Sequence, residues 1–346
     1  MEGIRANGSS DDLAGIGEVE PITGRIFPVL MVLIAAVGIT GNSLVLHIIF
    51  RHRDMRTVTN SFVASLALSD IAMLLMCVIP TATVAVTETW KLGDFLCKAA
   101  SYTSFVTVQA TCLTLTAMTV DRYYLIVHAV KSRNTRTVMK AVVINVAIWI
   151  FSSLIHLATP VFTEVDSDSN CANTFPNPVV DAKIYGVYSF LGMYIIPLML
   201  IMFCYAKILI QIWQKTSGGT ESAQAHTRAL RRKRKITRMV LIVVVLFAFC
   251  WAPLQIFIVW ANFNITTVLA ARQDVLLFVR GSFQCMAYSN SCVNPFVYAF
   301  TTTSFRKYFR KMFATCRGNA YKDRTSISIS MTTKTERLAA EEDSSI

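Results

Sequence analysis

The sequence predicts an all-α membrane protein: a seven-transmembrane helix bundle followed by a short amphipathic helix on the membrane surface. Three observations predict it. Hydrophobic residues make up 54% of the 346-residue chain and charged residues only 16%, against about 25% charged in an average soluble domain. Seven apolar stretches each reach the ~20 residues needed to cross a hydrocarbon core of ~30 Å. Basic residues gather in alternate connections between those stretches, as they do on the cytosolic side of membrane proteins.

In chain order, residues 1–25 form a polar, acidic tail with no apolar core of a cleavable signal peptide. The first span is therefore expected to act as an uncleaved signal. The sequon Asn7-Gly8-Ser9 makes Asn7 a glycosylation candidate; Asn264-Ile265-Thr266 abuts a span, where access is poor. The bundle, residues 26–301, is expected to run Ile26–Phe50, Phe62–Val86, Cys97–Val127, Val138–Phe162, Ile184–Trp213, Ile236–Phe263 and Val275–Thr301. Helices are the expected form, because in lipid each segment must satisfy its own backbone polar groups. Over residues 303–315, Phe305, Tyr308, Phe309, Met312 and Phe313 repeat at helical spacing with Arg306, Lys307, Arg310 and Lys311 between them. That pattern predicts a basic amphipathic helix on the lipid of the inner leaflet. Cys316 beyond it is a palmitoylation candidate. Residues 316–346 are expected to be a disordered cytoplasmic tail, where phosphorylation would recruit arrestin by added charge. The terminal Ser344-Ser345-Ile346 fits a PDZ ligand.

Charge sets the orientation. Arg51, Arg53 and Arg56 follow span one, Lys131, Arg133 and Arg136 follow span three, and Arg228 with Arg231–Arg238 precedes span six. With the tail, 26 of the 33 Lys and Arg fall on that side, which is expected to be cytosolic and leaves the N-terminus outside. The net charge of +12 is then a topology signal, and nucleic acid need not be invoked. The outer side carries 12 acidic residues against 7 basic ones, among them Glu164, Asp166, Asp168 and Asp181. This excess either solubilises loops or steers a cationic ligand. Only Cys97 and Cys171 lie on the oxidising side, so two thiols allow one pairing and a Cys97–Cys171 disulfide is expected.

Polar groups within spans are costly and read first as functional. Asp70 is the only carboxylate deep in the bundle, with Asn42, Thr111, Asn290, Ser291 and Asn294 at comparable depth. They either hydrogen-bond one another as helix glue or hold a small cation such as Na⁺; a lone carboxylate among neutral oxygens favours the cation. His47 and His156 stand alone on their spans and read as satisfied polar packers. Span three ends in Asp121-Arg122-Tyr123 at the cytosolic edge, and the prolines Pro197, Pro253 and Pro295 put kinks in spans five, six and seven.

These motifs resemble the rhodopsin-like (class A) G-protein-coupled receptors. The resemblance runs from Gly41-Asn42-Ser43-Leu44-Val45 through Leu66-Ala67-Leu68-Ser69-Asp70, Asp121-Arg122-Tyr123, Trp149, Cys250-Trp251-Ala252-Pro253 and Asn294-Pro295-Phe296-Val297-Tyr298 to Phe305-Arg306. Within that family, stretches such as Val108-Gln109-Ala110-Thr111-Cys112 and Phe247-Ala248-Phe249-Cys250-Trp251 are similar to the galanin, allatostatin-A and kisspeptin receptor group, most of all to kisspeptin receptors. Tyr288 stands where opsins carry the retinal lysine, and Ser104 where amine receptors carry an aspartate.

The resemblance implies a neuropeptide receptor of the plasma membrane and not an enzyme, with a heterotrimeric G protein as cytosolic partner. An amidated peptide would enter C-terminus first and meet Ser104, Phe105, Gln109, Phe257, Arg280 and Gln284. Cys112, Pro197, Phe247, Trp251, Pro253, Pro295 and Tyr298 would form the packing switch beneath it. Arg122, freed from Asp121, would pack near Tyr205 and Tyr298, with Tyr123 at the same coupling edge. Arg231–Arg238 offers no carboxylate to hold Arg122 at rest, though Thr237 offers a hydroxyl, so ligand-independent signalling is expected. Kisspeptin-like relatives imply Gq/11, phospholipase C and calcium; galanin- or allatostatin-A-like ones imply Gi/o. A transporter would show an internal repeat and paired broken helices, and a hydrolase a nucleophile–base motif; the sequence displays neither.

Overall fold

The computed structural model describes residues 22–130, 132, 136–214 and 223–312. Asn7, Cys316, the phosphorylatable tail and Ile346 lie outside them, as does Phe313 of the amphipathic stretch. The chain divides into two compact units, Met1–Val297 and Tyr298–Ile346. The ends assigned by charge to the outside and the cytosol are called outer and inner below.

α1 is Phe27–Arg51, preceded by a π-turn at Ile22–Ile26. α2 begins at Val58 with the Thr57 hydroxyl accepting from Asn60 N, runs to Met73, widens into a π-turn at Leu74–Val78 and resumes as Ile79–Thr87. α3 is Gly93–Val127, and α4 is Val138–Ile155, capped by Thr137. α5 starts after the Asn177 cap with Pro178 at its first position, runs to Phe190, passes a π-turn at Leu191–Ile195 and continues as Ile196–Gln214. α6 is Ala223–Phe263 and α7 is Gln273–Thr301. Both internal π-turns end two residues before a proline, Pro80 and Pro197. A proline supplies no N–H to the carbonyl one turn back, and the wider turn takes up that defect.

Six of the described helical segments are long and apolar enough to cross a membrane. The seventh, α7, has 29 residues but carries Arg280, Gln284, Ser289, Asn290, Ser291 and Asn294, so it is long enough and less apolar. α3 is central, packing against α2, α4, α5 and α6. Outward faces stay apolar: Val143, Ile150, Phe151 and Leu154 of α4 and Met199, Met202 and Phe203 of α5 are all exposed. A surface of this kind is costly in water and ordinary in lipid.

A two-stranded hairpin, β1 (Thr163–Val165) against β2 (Cys171–Asn173), lies between α4 and α5 with Val165 opposite Cys171. In the second unit, α8 covers residues 303–312. Phe305 and Tyr308 are buried while Lys307, Arg310 and Lys311 are exposed, the expected amphipathic pattern. The Phe305 ring lies 5.9 Å from Tyr298 and 6.4 Å from Phe309.

Candidate functional sites along the bundle

At the outer end the expected disulfide joins Cys97 to Cys171, with their Cα atoms 5.6 Å apart. It ties the hairpin to the first turn of α3. Trp90 reinforces the tie: it is buried against Cys97 and Ala100, its N–H donates to Ser169 O at 2.7 Å and its ring Nε1 to Gly93 O at 2.8 Å. Asp94 accepts from Val165 N at 3.2 Å. Of the acidic loop residues, Asp166 is occupied in its own turn, accepting from Asp168 N and Asn170 N at 3.0 and 2.8 Å. Glu164 and Asp168 remain exposed. At the start of α7, before the apolar stretch, the Arg272 guanidinium donates to Asp274 and holds that carboxyl below its ordinary range.

Below the loop, Gln109 is buried, Ser104, Phe105, Phe257 and Gln284 are half-buried, and Arg280 is exposed. Phe105 packs at 5.0 Å from Tyr185 and 5.5 Å from His156, whereas Phe257 packs at 6.0 Å from Phe283. Gln284 Nε2 donates to the Tyr288 hydroxyl at 2.7 Å, which lies 3.3 Å from the Thr81 hydroxyl. Tyr288 is thus part of a polar chain linking α7 to α2. His156 departs from its expected role. It is buried, but its Nε2 has no hydrogen-bond partner, because the neighbours that packing gives it are the rings of Phe105 and Tyr188.

The next layer holds Trp251 and Phe247, ring centroids 6.0 Å apart, with Tyr194 of α5 at 6.3 Å from Phe247. The Tyr194 hydroxyl donates to Ala248 O at 2.6 Å. This bond falls beside the Phe249 carbonyl, from which Pro253 withholds a helical donor. Cys112 is buried on α3.

Asp70 lies deeper and is 3% exposed. One carboxylate oxygen accepts from Asn294 Nδ2 at 2.9 Å. Asn42 Nδ2 donates to Gly38 O at 2.9 Å and to Ser291 O at 2.8 Å. The second bond has a covalent cause: Pro295 has no N–H to give Ser291 O, so that carbonyl is open to α1. Gly41 makes the approach possible, since a Cβ there would come within 2.9 Å of the Pro295 ring. The side-chain oxygens of Asn42, Asn290 and Asn294 have no donor. One carboxylate and three unpaired amide oxygens are the hard ligands a small cation takes, so these residues fit Na⁺. Thr111 is buried on α3 and takes no part in those hydrogen bonds.

At the inner edge Arg122 is 1% exposed. Its guanidinium donates to Asp121 Oδ2 at 2.9 Å and to the Thr59 hydroxyl of α2. Arg136, from the connection to α4, joins them: it donates to both Asp121 oxygens at 2.6 and 3.0 Å and to Thr59 at 3.1 Å. Tyr205 donates to Thr237 O at 3.3 Å, and the Tyr123 hydroxyl lies 3.2 Å from His128 Nε2. Trp149 donates to Ser65 at 3.1 Å. Sequence reasoning missed Thr59 and Arg136; the one signal available was their place beside the loops flanking α2 and α4.

A helical membrane bundle with a strapped outer mouth, a buried polar core and a clasped arginine at the inner edge has the layout of a receptor. Residues 41–298 match the model of the 7 transmembrane receptor (rhodopsin family). The chain belongs to that family. It is 34% identical to G-protein coupled receptor 54 of Oreochromis niloticus over 92% of this chain and 86% of that protein. It is 33% identical to the KiSS-1 receptor of Mus musculus over 88% of this chain and 79% of that one. It is 37% identical to galanin receptor type 1 of Rattus norvegicus over 88% and 85%. The protein is a multi-pass membrane receptor and not an enzyme.

Proposed function

We propose that the protein is a G-protein-coupled receptor for an amidated, kisspeptin-like neuropeptide, with its N-terminus outside the cell and signalling through Gq/11, phospholipase C and calcium. The observation that carries the peptide reading is the chemistry of the upper bundle. Beneath the strapped loop, Ser104, Phe105, Phe257 and Gln284 offer half-buried neutral polar and aromatic groups, with Arg280 the one charge in the set, which suits a ligand that binds through many weak contacts, as a peptide does. Glu164 and Asp168 stay exposed at the mouth for basic residues of such a ligand. The kisspeptin preference is supported by the similarity to the KiSS-1 receptor of Mus musculus along 88% of the chain.

A galanin- or allatostatin-A-type ligand with Gi/o coupling is the second reading, favoured by the 37% identity to a galanin receptor. Na⁺ at Asp70, arrestin on a phosphorylated tail, a PDZ partner at Ile346, a glycan on Asn7 and a lipid on Cys316 belong to the same proposal. Cells expressing the receptor, challenged with both peptide families while calcium and cyclic AMP are recorded together, test it. Calcium release evoked by amidated kisspeptin-type peptides is expected. A fall in cyclic AMP without calcium, evoked by galanin-type peptides, would replace the first reading by the second.

A further inference from the structure

Between the outer ends of α4 and α5 lies a cavity of roughly 360 Å³ that none of these roles uses. Its walls are Phe162 and Phe175 of the strapped loop, Tyr185 and Tyr188 of α5, and His156 and Thr159 at the end of α4. His156 is 2% exposed and its Nε2 has no partner, and the Tyr185 and Tyr188 hydroxyls are unpaired as well. Leaving a buried polar atom unpaired is costly, so three on one wall mark where a polar group of an occupant fits. The rest of the lining is mainly aromatic and aliphatic, which suits a ring.

Size and access narrow the occupant. The volume stands at the small end of the ~300–1,000 Å³ typical of small-molecule sites, too little for a peptide segment. Ile155 and Ile184, also on the wall, are 43% and 62% exposed on the apolar outer surface of the bundle, a surface that suits an occupant soluble in the bilayer. Asp181, also on the wall, accepts from Asn177 N at 2.9 Å at the start of α5; the mainly aromatic and aliphatic lining favours a neutral ligand.

We propose that this cavity binds a small, neutral aromatic amphiphile carrying one hydroxyl or amide. Its ring rests against Phe175 and Tyr185, and its polar group hydrogen-bonds His156 Nε2 and the Tyr188 hydroxyl. Phe105 of α3 packs on Tyr185 and on His156, so an occupant that fixes those two rings also sets Phe105. Occupancy and peptide binding are then coupled, each altering the other by the same factor. That coupling rests on Phe105 as a peptide contact; binding to the cavity does not.

The test uses the full-length receptor in lipid nanodiscs with 4-phenylphenol as probe and no peptide, reading the thermal unfolding midpoint against probe concentration. For the wild type, a rise is expected that begins near the probe's dissociation constant and then grows with the logarithm of probe concentration. Tyr188→Phe, which keeps the ring, should bind about fivefold more weakly, the worth of one hydrogen bond, and His156→Phe should do likewise. Ala158→Trp, from an exposed position on the same wall, should abolish the rise while leaving the unliganded midpoint near that of the wild type. Biphenyl, lacking the hydroxyl, should not distinguish wild type from Tyr188→Phe. No rise in the wild type, or equal 4-phenylphenol affinity in Tyr188→Phe, overturns the proposal.

Discussion

At the scale of single residues, the inner edge is held by one hydroxyl and two guanidinium groups on one carboxylate. Arg122 is nearly inaccessible and its Nε has no partner, and a buried charge is costly unless its hydrogen bonds are met. Asp121 meets part of that demand but is shared with Arg136, so the Thr59 hydroxyl carries more of it than its size suggests. This supplies what the non-acidic run Arg231–Arg238 does not. Thr59→Val keeps the shape and removes the acceptor from both arginines. A hydrogen bond to a charged group is worth about 1.5–3 kcal/mol, so the closed arrangement should lose roughly tenfold or more in population. Ligand-independent nucleotide exchange in membranes from cells expressing the variant should rise accordingly. If exchange stays at the wild-type level while only thermal stability falls, Thr59 merely packs and does not gate Arg122.

At the scale of elements, the kinks are positions where one helix hands a backbone group to another. Pro295 leaves Ser291 O unbonded within α7, and Asn42 of α1 takes it. Pro295→Ala should return the donor to α7, straighten it, leave Asn42 with only Gly38 O of its own helix and relax the contact with Gly41. Since α7 also carries Asn290 and Asn294, the polar core should loosen, with peptide-evoked signalling reduced severalfold at unchanged surface expression. Signalling at the wild-type level, with expression matched, would show that the exchange is incidental. The proline, the asparagine and the glycine were each legible in the sequence, as were the disulfide and the seven spans. Their pairing was not, because Asn42 and Ser291 are 249 positions apart and only packing brings them together. Arg136 was hidden for another reason: in a basic connection it looks like ordinary topology charge, and nothing local says that it turns back to Asp121. His156 was misjudged because a lone histidine on an apolar helix gives no hint of whether packing supplies it a partner.

At the scale of the whole receptor, the proposed function requires a signal from the mouth to reach the clasped arginine past the layer that holds Asp70. Asp70 belongs to α2, its donor Asn294 to α7 and the neighbouring Asn42 to α1, so a rearrangement of any of these helices alters the ligand set offered to a cation. If Na⁺ prefers the arrangement described here, it opposes the peptide, and the opposition is reciprocal: whatever factor Na⁺ takes from peptide affinity, the peptide takes from Na⁺ affinity. Couplings of this kind amount to about 1–3 kcal/mol, or roughly 5–150-fold. Replacing Na⁺ by N-methyl-D-glucamine at constant ionic strength should therefore raise the affinity of the activating peptide at least severalfold in membranes without G protein. Asp70→Asn should bind the peptide equally well in both salts. Its amide oxygen can still accept from Asn294, so helix packing is kept while the charge that draws the cation is gone. A salt dependence that persists in Asp70→Asn would place the Na⁺ effect elsewhere in the protein. Equal affinities in the wild type would mean that the unpaired oxygens of Asn42, Asn290 and Asn294 serve water rather than a cation, and that the layer transmits by hydrogen bonding alone.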